Sequence, residues 1–235
     1  MTRTYNQDCL LAHALDLLGE RWTLLILRDL FLGSRRFGDL QAGLPGIGAN
    51  LLSKRLKELD QAGIILAPGA SETADGYRLS PMGEGLRPAI REMMAWSIYY
   101  FMERPESSPA YECIYSDDLE PDSVALAIEI FAKYCPEPDL NYVAHVHIDD
   151  FPYTFYYMNG EMTVRRGANT PAVATLSTDV ATIMQALRKE LELGDAKSRM
   201  ALTGDEKVIT HLLQCIVHVK AEPEEQFSSV KAAWM

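Results

Sequence analysis

Four side chains with polar or charged ends occur close together in the first half of the chain: Asn50, Ser53, Lys54 and Lys57. Lysine ammonium groups bind phosphate, whereas asparagine and serine side chains bond the edges of bases. Leu52, Leu56 and Leu59 in the same segment repeat at helical spacing, so the polar set faces the opposite side of a helix. This pattern predicts a nucleic-acid-binding helix, although lysines on a helix surface are also typical of ordinary solvated residues.

The residues before this helix predict a helix-turn-helix. A short helix is expected at Phe37–Ala42, followed by the turn Gly43-Leu44-Pro45-Gly46 and a second helix at Ala49–Ala62. Pro45 fixes its own backbone angle, and we expect Gly46 and Gly48 to take positive φ where the chain reverses. The helix with the lysines is therefore the second helix of the motif.

Cys9 is a candidate for redox chemistry. It lies near the start of a predicted helix, where the helix dipole favours the reactive thiolate. The alternative is that Cys9 is a small buried apolar residue, as most cysteines without a disulfide are.

Metal and catalytic sites are not predicted. His145, His147 and Asp149 alternate on one expected strand and so face one side, but no further ligands are evident and a polar sheet face is favoured. The sequence has no Ser/His/Asp order, Gly-rich phosphate loop, HExxH motif or nucleophile elbow. We therefore expect no enzyme and no cofactor.

Aromatic and methionine residues concentrate in the second half. Most must form the core, but methionine also suits an adaptable cavity, so an effector pocket is the second interpretation. The candidate lining residues are Phe131, Phe155, Tyr157, Met162, Met184 and Met200.

The elements around the helix-turn-helix predict a winged helix. Helices are expected at Cys9–Leu18 and Arg21–Leu32, each ended by a glycine. Strands are expected at Ile64–Leu66 and Tyr77–Leu79, joined by a small, polar loop. Ser80-Pro81 then starts a long apolar helix that runs to Arg104, with a kink or restart at Pro88. We expect that helix in a dimer interface or against the second domain, a plain core helix being the alternative.

The second half predicts an α+β domain. A linker at 105–110 separates a first domain, 1–104, from a second at 111–221, with a tail at 222–235. Six strands and three helices are expected in the second domain. The strands are 111–115, 142–148, 153–158, 162–166, 173–176 and 199–202, the first of which precedes the first helix. The helices are 122–135, 178–191 and 205–216. Asn159-Gly160 predicts a hairpin turn.

Charge divides unevenly along the chain. The 235 residues hold 22 Lys and Arg and 33 Asp and Glu; residues 1–104 hold 12 of each class, which leaves 10 basic and 21 acidic residues in the rest. An acidic half repels phosphate, so we expect nucleic acid to contact the first half. With no CxxC spacing, no signal-peptide pattern and no apolar run of about 20 residues, we expect a soluble protein of the cytoplasm.

The first half resembles the HxlR family of MarR-like winged-helix transcription regulators. The resemblance is carried by CLLAHALDLLGERWTLLILRDL, in which Gly19 follows Cys9 by ten positions, by RRFGDLQAGLPGIGANLLSKRLKELDQAGI, and by YRLSPMGEGLRP. It implies a homodimer whose recognition helices enter successive major grooves of a palindromic operator in double-stranded DNA. Matched to this sequence, the DNA face consists of Arg36, Asn50, Ser53, Lys54, Lys57 and Arg78. The expected wing loop, APGASETADG, departs from this pattern because it is acidic.

The second half resembles the sterol carrier protein type two fold. The stretch ATLSTDVATIMQALRKELELGDAKSRMALTGDEKVITHLL has the order of strand, helix, short segment, strand and helix found there. The resemblance implies a sheet covered by helices, with a cavity for a lipid-like, acyl or aromatic molecule.

Three functions follow as hypotheses. The first is a repressor controlled by a small apolar effector in the second domain. The second is a regulator controlled by oxidation of Cys9, with the second domain used only for dimerisation. The third is a lipid or acyl carrier.

Overall fold

The computed structural model describes residues 4–69, 75–103, 119–187 and 190–217. The chain divides into two compact units, residues 1–92 and 93–235. The predicted linker at 105–110, the strand at 111–115 and the tail at 222–235 lie outside the described residues. The predicted domain boundary at 104 therefore remains a prediction.

The first unit is a winged helix, as predicted. Its helices are α1 (Leu10–Leu18), α2 (Thr23–Phe31), α3 (Phe37–Ala42) and α4 (Ala49–Gln61), followed by strands β1 (Ile65–Leu66) and β2 (Arg78–Leu79). The two strands pair antiparallel, and the isolated bridge between Arg35 and Tyr77 extends the pairing. We call residues 65–79 the wing. Leucine and isoleucine side chains of α2, α3 and α4 form the core of this unit, including Ile26, Leu27, Leu40, Leu52 and Leu56.

The turn before α4 follows the prediction at one glycine and not at the other. Gly46 has φ +93°, where a side chain is strained, and a Cβ there would lie 3.6 Å from Trp22. Gly48 has φ −76° and is the N-cap residue of α4, so the prediction of positive φ at Gly48 was wrong. The chain reverses at Gly46, and Gly48 already has the extended conformation that precedes a helix.

The predicted helix after Ser80 is two helices, α5 (Pro81–Glu84) and α6 (Arg87–Glu103). The Ser80 hydroxyl accepts a hydrogen bond from the Gly83 amide at 3.1 Å and donates to the Gly63 carbonyl at 2.6 Å, which confirms the predicted helix start. The break lies at Gly85 and Leu86, and Pro88 falls in the first turn of α6. Proline has no amide hydrogen to give to a preceding turn, so a restart is favoured at this position.

The second unit contains a five-stranded mixed sheet. Helix α7 (Pro121–Phe131) and a 3-10 helix (Ala132–Tyr134) precede strands β3 (Tyr142–Ile148), β4 (Phe151–Met158), β5 (Glu161–Arg166) and β6 (Ala174–Thr178). Helices α8 (Val180–Leu187) and α9 (Leu193–Arg199), strand β7 (Ala201–Gly204) and helix α10 (Glu206–Val217) follow. The strand order is β5-β4-β3-β6-β7, with β3 and β6 parallel and the other pairs antiparallel.

Alternation along β3 shows which face of the sheet is covered. Tyr142, Ala144, Val146 and Ile148 are buried, whereas the residues between them are half-buried. Helices α7, α8 and α10 contact one another and the strands, so the core lies between these helices and one face of the sheet. The order of elements predicted from β6 to α10 is present, with α9 as an additional short helix.

Candidate functional site

Helix α4 separates its polar and apolar residues as the sequence predicts. Leu52, Leu56 and Leu59 are buried in the core of the first unit, with exposed fractions of 0%, 1% and 3%. The polar set on the other side is exposed to solvent: Asn50, Ser53, Lys54 and Lys57. The geometry therefore presents two ammonium groups, an amide and a hydroxyl on one outward face.

The first turn of α4 adds backbone donors to this face. Its N-cap is Gly48, which has no side chain to accept from the first amides, and Ala49 and Asn50 are exposed. The Gly48 carbonyl accepts from the amides of Leu51 and Leu52, both at 3.0 Å. The N-terminus of a helix carries partial positive charge and outward N–H groups, which favours an anion such as phosphate.

Lys54 has an acidic neighbour on the same helix. Its Nζ lies 3.8 Å from a carboxylate oxygen of Glu58, one turn further on. Lys54 is exposed and Glu58 is partly exposed, so the pair contributes little and is screened by salt. Lys54 can therefore exchange the Glu58 carboxylate for a DNA phosphate.

Arg55 fixes α4 and was not predicted from the sequence. Its side chain is buried, donates to Glu20 at 2.6 Å, and forms an ion pair with Glu58. The pair with Glu20 joins α4 to the segment before α2, so Arg55 is a positioning residue for the exposed face. The sequence did contain a signal for this role: Arg55 lies beside the leucines of α4, and a charged residue that is buried among apolar residues needs a charged partner.

The two arginines near the wing have different surroundings. Arg36 is exposed and pairs with Asp75 of the wing, which raises the pKa of the guanidinium through the hydrogen bond and the charge of Asp75. This pair competes with phosphate for Arg36, yet it is open to solvent and therefore weak. Arg78 lies in β2 and is half-buried. Residues 70–74 of the wing lie outside the described part of the chain.

Cys9 is the exposed N-cap residue of α1. The backbone of Ala12, and next that of Leu11, stabilises the thiolate by hydrogen bonding and so lowers the pKa of the thiol. This position at a helix start agrees with the reactive interpretation, and the interpretation as a buried apolar residue was wrong. Whether Cys9 responds to oxidation remains a prediction.

Helix α1 also exposes apolar surface. The exposed fractions are 90% for Leu10, 66% for Leu11, 38% for Leu15 and 56% for Leu17. Single exposed leucines are ordinary, but four on one helix of nine residues are typical of an interaction surface. We call these four residues the α1 leucine surface.

The six candidate pocket residues of the second unit are all buried. They have 0% to 7% exposure and belong to the core between sheet and helices: Phe131, Phe155, Tyr157, Met162, Met184 and Met200. Their role as an effector pocket remains a prediction.

An open cleft of about 500 Å³ lies between the loop at 137–140 and α10. Its walls carry mainly polar and acidic groups, among them Glu137, Asp139, Glu206 and His211. His211 is itself buried and contacts the rings of Tyr142 and Tyr157. The sequence did not indicate this cleft, because its two walls are distant along the chain.

The histidines of β3 do not gather ligands. His145 and His147 share one face, and Nε2 of His145 lies 2.8 Å from the Thr170 carbonyl oxygen. The prediction that Asp149 shares the face of the two histidines was wrong. Asp149 follows the end of β3 with φ +52°, and its carboxylate accepts a hydrogen bond from the Val180 amide at 3.3 Å. Among the described residues no group of three His, Cys, Asp or Glu is arranged for a metal ion.

Comparison with known proteins finds similarity in the first part of the chain. The HxlR-like helix-turn-helix family matches residues 17–105. The uncharacterized HTH-type transcriptional regulator YvaP of Bacillus subtilis is 37% identical over 86 residues, which are 36% of this chain and 80% of that protein. The uncharacterized HTH-type transcriptional regulator Mb3122 of Mycobacterium bovis is 46% identical over 98 residues. The match covers 41% of this chain and 61% of that protein.

One solved structure among those found is the quinone-bound YodB from B. subtilis. It is 34% identical, with a TM-score of 0.35, and the match covers 39% of this chain and 98% of that one. In the part of the present chain that the structure describes, no helix is long and apolar enough to cross a membrane.

Proposed function

This chain belongs to the HxlR-like helix-turn-helix family, and we propose that it is a homodimeric repressor of transcription controlled by a small effector. The relatives named above are HTH-type transcriptional regulators. In this proposal the chain acts in the cytoplasm and catalyses no reaction. The observation that carries the proposal is the exposed polar face of α4, supported from behind by three buried leucines.

Each group on that face has a distinct role in the proposal. Lys54 and Lys57 neutralise phosphates and supply affinity that falls with salt. Asn50 and Ser53 reach base edges in the major groove and choose the sequence. Arg36 leaves Asp75 for a phosphate, and Arg78 contacts the backbone beside the wing.

A dimer follows from the α1 leucine surface. A second copy that covers these four residues removes apolar area from water, which stabilises the association. A two-fold dimer presents two copies of α4, and the operator is then a palindrome with half-sites about 34 Å apart or a multiple of that distance.

The effector belongs to the second unit in this proposal. The resemblance to the sterol carrier protein type two fold is supported by a five-stranded sheet covered on one face by helices. A small apolar or aromatic molecule would enter the core near Phe131, Phe155, Tyr157, Met162, Met184 and Met200. Control requires that the effector bind the DNA-competent and incompetent states unequally, since otherwise no equilibrium shifts.

Control by Cys9 is the second candidate function. It is favoured by the exposure of the thiol and by the two backbone amides that lower its pKa. Oxidation there would add a polar group at the start of α1, next to the α1 leucine surface, and so would weaken the dimer.

A titration of DNA binding tests the proposal. Labelled duplex from the protein's own promoter region is titrated with protein, with scrambled duplex as the control, and then with a hydrophobic cell extract. We expect binding to the promoter duplex at least tenfold tighter than to the scrambled one, and release by the extract.

The other outcomes separate the alternatives. Specific binding that the extract leaves unchanged contradicts effector control, and oxidant treatment of the wild type and of Cys9→Ser then tests the second candidate. Absence of specific binding at low salt contradicts the regulator itself and favours a lipid or acyl carrier.

A further inference from the structure

Two cysteines of the second unit lie side by side although they are far apart in the sequence. Cys135 follows the 3-10 helix, and Cys215 lies in the last turns of α10. The Cys135 thiol donates to the Gln214 carbonyl at 3.5 Å, so its sulfur touches the peptide unit that leads into Cys215. The sulfur of Cys215 lies within hydrogen-bonding reach of the sulfur of Cys135. Both cysteines are reduced in this structure.

His211 holds the two cysteines in this arrangement. Its Nε2 lies 2.7 Å from the Cys135 carbonyl oxygen, so Nε2 carries the proton and donates. The same nitrogen lies 3.7 Å from the Cys215 sulfur. On the other side Nδ1 lies 2.8 Å from the Tyr142 hydroxyl, which donates to it. The buried imidazole thereby joins β3, the end of the 3-10 helix and α10.

The two thiols differ in access. Cys135 is half-buried, and Glu137, two residues further along the chain, lines the open cleft beside α10. Cys215 is fully buried. The hydrogen bond from Cys215 lowers the pKa of the Cys135 thiol, and the same bond together with burial raises the pKa of Cys215. Cys135 is therefore the thiol that meets a reagent first, and Cys215 is the neighbour that follows.

We propose that Cys135 and Cys215 are a redox pair that hydroperoxides convert into an intrachain disulfide. The Cys135 thiolate attacks a peroxide oxygen; an S–O bond forms, the O–O bond breaks, and the leaving oxygen takes a proton as water or alcohol. The Cys215 sulfur then attacks the Cys135 sulfenic acid, the S–O bond breaks, and water leaves with the Cys215 proton. The two sulfurs are each oxidised by one electron overall, and the peroxide is reduced by two.

The bond would join the end of the 3-10 helix, two residues before the loop at 137–140, to α10; that loop and α10 are the two walls of the cleft. It would therefore limit opening of the cleft, and reduction by a dithiol would restore it. This pair differs from Cys9, which lies in the other unit and has no cysteine partner among the described residues.

The test uses the full chain with Cys9→Ser and Cys113→Ser, so that only two thiols remain. The protein is treated with hydrogen peroxide, unfolded, and its thiols are titrated before and after a dithiol reductant. We expect loss of both thiols, a mass lower by two hydrogen atoms, and full recovery on reduction. A peptide map should show the fragments with Cys135 and Cys215 joined within one chain.

Single variants in that background show the order of attack. With Cys215→Ser, peroxide should leave a sulfenic acid on Cys135 that a cyclic diketone traps, and no disulfide forms. With Cys135→Ser, the buried Cys215 should keep its thiol. Two thiols that persist under excess peroxide, or a disulfide only between chains, would overturn the proposal. Far-ultraviolet circular dichroism of each variant verifies that it is folded.

Discussion

At the scale of single residues, the exposed face of α4 makes the first prediction. Lys54→Ala removes an ammonium group that neutralises a phosphate, so binding weakens on specific and scrambled duplex alike. The slope of log affinity against log salt should fall in magnitude by about 1. Fluorescence anisotropy over a salt series measures both quantities.

Lys197→Ala is the matched control for Lys54→Ala. Lys197 is an exposed helical lysine of the second unit, so its removal changes net charge equally without touching the proposed interface. An unchanged slope for Lys54→Ala, or equal changes in both variants, would place Lys54 outside the interface.

Cys9 gives a second prediction at this scale. Because the amides of Ala12 and Leu11 lower its pKa, the thiolate persists to lower pH than in an ordinary thiol. The rate of alkylation of Cys9 by iodoacetamide should therefore reach half its maximum at a lower pH in the native protein than in the same protein unfolded in urea. A peptide map assigns the label to Cys9. Coincident pH profiles in the two states would show that the helix start has no effect on the thiol.

The sequence predicts the exposure of a residue correctly where that exposure depends only on the helix to which the residue belongs. The exposure of Asn50, Ser53, Lys54 and Lys57 follows from the spacing of three leucines, which is local information. Arg55 was missed because its burial depends on Glu20, which lies 35 positions away in the sequence. Asp149 was misplaced because it follows the end of β3 with φ +52°, so the alternation of the strand does not extend to it.

At the scale of elements, the turn before α4 gives the third prediction. Gly46→Ala puts a side chain at φ +93°, which costs about 1 to 2 kcal/mol, and its Cβ would lie at an ordinary contact distance of 3.6 Å from Trp22. The free energy of unfolding should fall by about that amount in urea titrations.

Gly38→Ala is the control for Gly46→Ala. Gly38 lies within α3, and a Cβ there meets no atom within 4 Å. Alanine favours a helix over glycine by up to about 1 kcal/mol, so Gly38→Ala should leave stability unchanged or raise it. A loss in Gly38→Ala as large as in Gly46→Ala would contradict the conformational argument.

Most elements of both units could be predicted, because each has its own periodicity and its own end signals. Helix α3 and strand β3 were predicted to the residue, the first from turn residues and the second from alternation. Helix α9 was not predicted, since its seven residues include Gly194 and too few apolar positions for a period. The restart predicted at Pro88 is present, since α6 begins at Arg87 and Pro88 lies in its first turn.

At the scale of the whole molecule, the α1 leucine surface gives the fourth prediction. Leu11→Lys adds a charge at a side chain that is 66% exposed in one chain, so folding should be unaffected. In a dimer that charge would be buried without a partner, at a cost of several kcal/mol, and the dissociation constant should rise by more than about a hundredfold. Sedimentation equilibrium measures the constant.

Val173→Lys is the control for Leu11→Lys. Val173 is 54% exposed in the second unit, and the proposed dimer does not use it. If Leu11→Lys and wild type dimerise equally, α1 is not the dimer surface. Weaker operator binding should accompany the loss of the dimer, since two copies of α4 act on one palindrome.

Features that depend on distant contacts could not be predicted from the sequence. The aromatic and methionine residues of the second unit were expected in the core or in a pocket, and their spacing could not separate the two. The cleft beside α10 depends on the approach of the loop at 137–140, which no local pattern records. The pairing of Cys135 with Cys215 spans 80 positions for the same reason.

The central claim is that α4 reads duplex DNA as part of a two-fold dimer. Hydroxyl-radical footprinting of the wild-type protein on its own promoter DNA tests it most directly. We predict two protected half-sites with inverted sequences, separated by about one helical turn or a multiple of it. Protection should be lost with Asn50→Ala and Ser53→Ala combined. Uniform protection along the duplex, or none at low salt, would contradict the account.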